Sequence, residues 1–63
     1  MKVIIEKTNE IVEHNPCKVE ELLKDLKINP DTVLVAKNNE VVLLDENLSE
    51  NDEIKILSVV SGG

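Results

Sequence analysis

The chain has 63 residues, enough for one small hydrophobic core and too few for a second domain. A single cysteine cannot close an internal disulfide and no Cys/His cluster offers a zinc site, so Val, Ile and Leu, with no aromatic ring, must hold the fold by packing alone. Thirteen acidic residues against seven lysines give a net charge of −6, which disfavours nucleic-acid phosphates and anionic membrane surfaces and favours basic surfaces on other proteins.

In chain order, Lys2 to Glu6 reads as a strand, with Val3 and Ile5 on one face and Ile4 on the other. Thr8 and Asn9 supply turn chemistry, and Ile11 to His14 returns as a second strand before Pro16. From Val19 the period changes. Val19, Leu22, Leu23 and Leu26 fall at i, i+3, i+4 and i+7, the stripe of a helix buried on one side. Glu20 and Glu21 in its first turn and Lys24 and Lys27 in its last suit the macrodipole, and Asn29-Pro30 is expected to stop it. Val33 to Lys37 and Glu40 to Leu44 flank Asn38-Asn39, a pair that tolerates the positive φ of a two-residue hairpin. Asp45 to Asp52 reads as a polar loop pinned by a buried Leu48, and Ile54 to Val60 as a central strand. Two hairpins, one helix and a last strand imply a two-layer α+β fold, with the sheet packed on the helix. The expected core is Val3, Ile5, Val19, Leu22, Leu23, Leu26, Val33, Val35, Ile54 and Ile56. Residues 1–60 would form this domain, and 61–63 a tail leaving directly from the last strand.

The glycines stand out, because the protein's only two are Gly62 and Gly63. Without Cβ atoms they could thread a narrow channel, and four extended residues reach at most about 14 Å into a partner. The chemistry implied is done to the terminal carboxylate by another protein. The bland alternative is an inert terminus of small residues.

The helix stripe Val19-x-x-Leu22-Leu23-x-x-Leu26, the Val35-Ala36-x-Asn38 hairpin and the ending Asn51-Asp52-x-Ile54-x-Ile56, Val59-x-x-Gly62-Gly63 together resemble the ubiquitin-like sulfur carriers. That family includes the thiamine sulfur carrier, the small subunit of molybdopterin synthase and archaeal modifier relatives. The resemblance covers the whole chain. It implies a β-grasp fold and a terminal glycine, here Gly63, that an ATP-dependent activating enzyme adenylates and that then becomes a thiocarboxylate. Gly62 and Ser61 would escort it. A sulfur-accepting synthase would take the sulfur for thiamine thiazole or a related cofactor. The alternatives within the family are conjugation to lysines as a protein modifier, or sulfur delivery for molybdopterin or tRNA. The chain lacks the aromatic-proline element of the molybdopterin branch, and its Val59-Val60-Ser61-Gly62-Gly63 end is closer to the thiamine branch.

If Ile54 and Ile56 face the helix, alternation turns Lys55, Leu57 and Val59 outward, together with Leu34, Ala36 and Ile4. Leu57, Val59, Leu34, Ala36 and Ile4 are expected to form an exposed apolar patch that docks the activating enzyme; homodimerisation or scattered surface leucines are the plain alternatives. His14 reads as a surface strand histidine with no Cys or carboxylate completing a catalytic unit, and Cys17 as a small, partly buried hydrophobe. The acids of the 45–53 segment lack the spacing and central glycine of a calcium loop. No metal, no cofactor and no catalysis by the chain itself are expected. A lone reduced thiol, with neither a membrane-length apolar run nor a signal peptide, reads as a cytoplasmic protein, monomeric when free.

Overall fold

The computed structural model describes residues 1–59; Val60, Ser61, Gly62 and Gly63, which carry the end of the expected last strand and the whole expected tail, lie outside the described residues. The first hairpin pairs β1 (Lys2–Ile5) with β2 (Glu10–Glu13). Asn9 has φ 61°, the positive value that its short side chain tolerates. The ladder extends one residue further than the alternation predicted. The Met1 α-amino group donates to the His14 carbonyl at 2.7 Å, and the His14 N–H donates to the Met1 carbonyl at 3.1 Å. Met1 thereby lands on the Val3 face and is buried.

Helix α1 (Val19–Asp25) buries Val19, Leu22 and Leu23, as the stripe requires. Lys18 caps it without a side-chain hydrogen bond. The unpaired donors of the first turn are satisfied instead by the loop, where Val19 N–H donates to the Glu46 carbonyl and Glu20 N–H to that of Leu44. Leu48 N–H donates to the Cys17 carbonyl at 2.9 Å, which seats the Leu48 side chain in the core as expected. The helix ends a turn before Asn29-Pro30, because Lys27 takes φ 60°. Ile28 N–H reaches back to the Leu23 carbonyl at 2.8 Å and Lys27 N–H to that of Lys24 at 3.1 Å, a Schellman reversal with lysine where glycine is usual. Lys27 therefore lies past the helix, and not in its last turn. The reversal packs Ile28 against the margin of the core, and a 3-10 turn over Pro30–Thr32 leads into the sheet again.

The second hairpin joins β3 (Val33–Lys37) to β4 (Glu40–Val42) through Asn38 and Asn39, at φ 52° and 70°, the positive pair that the turn demands. β4 is two residues shorter than the apolar run, since the chain leaves the sheet at Leu43, whose carbonyl accepts the Glu46 N–H, and the Leu44 carbonyl turns to the helix. β5 (Glu53–Ser58) runs parallel to β1 and antiparallel to β3, giving the order β2-β1-β5-β3-β4. A mixed five-stranded sheet with a central last strand, packed on one helix, is the β-grasp arrangement. Its core joins Met1, Val3, Val19, Leu22, Leu23, Val35, Leu48, Ile54 and Ile56. Three expected core residues, Ile5, Leu26 and Val33, are only partly buried at its margin.

A polar latch ties the loop to the second hairpin. Asp52 Oδ2 accepts the Ser49 N–H at 2.8 Å and Oδ1 accepts from Asn38 Nδ2 at 3.0 Å. Asn38 Oδ1 in turn accepts the Glu53 N–H at 3.1 Å. The Ser49 N–H, and then the Asn38 amide, hold the Asp52 carboxyl below its ordinary value of 3.8. The unfolded chain therefore takes up this proton first as the pH falls. The stabilisation is complete above the unfolded value and is lost as the pH drops through the lower folded one. Urea midpoints measured from pH 5 downward should fall less steeply for Asp52→Asn than for wild type. Identical slopes would mean that the latch contributes nothing.

Candidate functional site

The site is assembled around the end of β5. Burial alternates along the strand, with Ile54 and Ile56 buried and Lys55 and Leu57 half-buried on the opposite, outer face. Register then decides which outer residues meet. Leu57 lies directly opposite Leu34, and Val59, whose N–H donates to the Thr32 carbonyl at 3.0 Å, prolongs the pairing past the strand end. Leu34 is 44% and Val59 52% exposed, so these two are the open members of the group.

Ile4 stands in a different row. Its partners are Ile11 on β2 and Lys55 on β5, while Glu6, through its N–H to the Ile56 carbonyl, takes the position alongside Leu57. Lys55 separates Ile4 from Ala36, and its Nζ lies 3.4 Å from Asn39 Oδ1. Ala36 does not lie open as expected. It is 5% exposed, because its single Cβ sits between the longer side chains of its register partners Val41 and Lys55. The outer face thus carries a Leu34–Leu57–Val59 group near the chain end and a separate Ile4–Ile11 pair across Lys55. Val60, Ser61, Gly62 and Gly63 follow Val59 outside the described residues.

A second cluster corrects the reading of His14. The residue follows β2, and its half-buried ring places Nε2 at 3.1 Å from Asp25 Oδ2 and Nδ1 at 3.7 Å from Cys17 Sγ. A Cys, a His and a carboxylate do converge here. The sequence held a signal for it, the His14-x-x-Cys17 spacing at the turn into the helix that carries Asp25. Two features keep the cluster from acting as a nucleophile. Nδ1 is 2.8 Å from the Asn15 carbonyl, which can only accept, so that nitrogen donates there and offers Cys17 no base. Partial burial, then Glu21 and Asp25, push the Cys17 thiol above its ordinary value, so the thiolate is disfavoured. Among the described residues, no group of three or more His, Cys, Asp or Glu side chains could hold a metal ion, and no helix is long and apolar enough to cross a membrane.

Comparison with known proteins places the chain as a whole. The model of the ThiS family matches residues 2–63, the terminal glycines included. The chain belongs to the ThiS family. It is a sulfur carrier of the ubiquitin-like type. This ThiS-family chain is 37% identical over 43 residues to the sulfur carrier protein TtuB of Thermus thermophilus, a match spanning 68% of the chain and 66% of the relative. It is 44% identical over 52 residues to an uncharacterized protein of Archaeoglobus fulgidus, spanning 82% of the chain and 76% of the relative. The crystal structure of the thiamine biosynthesis protein ThiS from Geobacter metallireducens superposes with a TM-score of 0.69 over the full length of both chains. At 24% identity that likeness establishes the fold.

Proposed function

We propose that Gly63 is the working residue and that the chain is a co-substrate, not an enzyme. The Gly63 carboxylate attacks the α-phosphorus of ATP in an activating enzyme, and pyrophosphate leaves. Hydrosulfide from the sulfur donor then attacks the acyl carbon and displaces AMP, leaving a thiocarboxylate for a sulfur-accepting synthase, in the formation of thiamine thiazole or a related cofactor. Gly62 and Ser61 form the narrow approach, and the exchange takes place in the cytoplasm. The observation that carries this reading is the family match running through the only two glycines of the chain. A carboxylate is a poor electrophile, and acyl-adenylation supplies the leaving group that sulfur attack needs. Incubation with the activating enzyme, ATP and a sulfur donor should raise the intact mass by the exchange of one oxygen for sulfur. An unchanged mass, with the enzyme competent on its own carrier, would refute the assignment.

The Leu34–Leu57–Val59 group is the docking face in this reading, with Ile4 at its border. Its apolar side chains lie at the end of the sheet from which the chain departs, and the charge of −6 steers it toward a basic partner surface. Leu57→Lys is expected to weaken binding of the activating enzyme about tenfold or more, as the loss of a buried interface anchor does. Its cost in stability should stay below about 1 kcal/mol, the scale of one cross-strand pair. Calorimetric titration and a thermal melt separate the two. Outright unfolding would place Leu57 in the core, and unchanged binding would move the docking face elsewhere.

A further inference from the structure

The core of this protein is left open at one end. Ile5, Leu26 and Val33, all predicted to be interior, remain partly exposed because they line one apolar cleft together with Ile28 and Ile56. The cleft has a volume of about 470 Å³. Lys7, Thr8 and Glu10 of the first hairpin and Ser58 of β5 line it as well. Helix α1 creates the opening by ending at Asp25, so the Lys27 reversal carries Ile28 to the margin instead of lengthening the helix across the sheet.

Its position is what assigns an occupant. Ser58 lines the cleft and Val59 follows it immediately. Four residues separate Val59 from the terminal carboxylate and can span at most about 14 Å. An enzyme that holds that carboxylate therefore has its binding surface within about 14 Å of Val59, and so close to the cleft mouth. We infer that the cleft receives an apolar side chain, of leucine, methionine or phenylalanine size, from the enzyme that activates the terminus. The inference rests on the function proposed above. The contact lies on the helix side of the sheet, whereas Leu34 and Leu57 lie on the outer side, so the enzyme would grip the end of β5 from both faces. Desolvation of a concave apolar floor gives such a side chain the character of an interface anchor.

Two variants fill the cleft from different elements, Ser58→Phe at the end of β5 and Thr8→Trp in the first hairpin turn. Each is expected to raise KM for the carrier at least tenfold in ATP–pyrophosphate exchange, with kcat at saturation and the melting temperature retained. Titration of methyl-labelled wild type with the activating enzyme should shift the Ile5, Leu26 and Ile28 methyl signals, a readout that holds even where a variant fails to fold. Unchanged KM in both variants, or an effect confined to Ser58→Phe, would overturn the inference, the latter because it marks a disturbed chain path and not a filled cleft. Methyl shifts confined to Leu34 and Leu57 would overturn it as well. The same shifts on concentrating the carrier alone would assign the cleft to a second copy and overturn it too. Wild type that supports no exchange would refute the proposed function itself, which distinguishes that failure from a failure of the cleft.

Discussion

Deleting Gly63, or adding one residue after it, is expected to abolish adenylation while leaving the fold intact. Either change moves the carboxylate by one residue, about 3.3–3.8 Å along an extended chain. In-line attack on phosphorus depends on near-contact geometry, and a misplacement of about 1 Å already costs on the order of 100-fold. Pyrophosphate exchange should therefore fall to about 1% of wild type or less. The thermal melt should not move, since the core among the described residues runs from Met1 to Ile56. Gly63→Ala should be milder, its added methyl group obstructing a channel shaped for glycine without shifting the carboxylate along the chain. Exchange at the wild-type rate by the deleted or extended chain would reject Gly63 as the working residue.

Leu23→Ala should act in the opposite sense, on the fold and not on the chemistry. Leu23 is buried at the centre of the helix stripe, and its carbonyl also anchors the Ile28 N–H in the reversal that ends the helix. Truncating a buried leucine to alanine costs about 2–5 kcal/mol through lost transfer energy and the cavity left behind. A core in a domain of this size rarely supplies more than about 3–5 kcal/mol in total. The variant should be largely unfolded at room temperature, visible as lost helical circular dichroism and a missing urea transition. A melt like that of wild type would mean that the stripe does not hold the helix to the sheet.

The expected docking face shows how far alternation carries an argument. Period 2 placed Leu34, Ala36, Leu57 and Ile4 on the outer face, and all four are there. It could not tell which of them meet, because that depends on how strands distant in sequence are paired. The register sets Leu57 against Leu34 but Ile4 against Lys55, and it shelters Ala36 between Val41 and Lys55. A shift of one residue would have exchanged the two faces of a strand.

What the sequence determined by itself was the order and type of the elements, the layer that each face belongs to, and the glycines that end the chain. Those signals are local: a helix period, a strand period and turn residues with positive φ are set by neighbours a few positions apart. The tertiary structure alone decided the rest. The loop carbonyls of Leu44 and Glu46 cap a helix that has no capping side chain, and Met1 enters the core through a ladder pair with His14. His14, Cys17 and Asp25 converge from a strand end, a turn and a helix. The cleft beside Ser58 exists because the helix ends at Asp25, one residue before the last position of its apolar stripe, and the chain then reverses. Each of these depends on backbone groups or side chains from separate segments, and no periodicity within one segment encodes where another will lie.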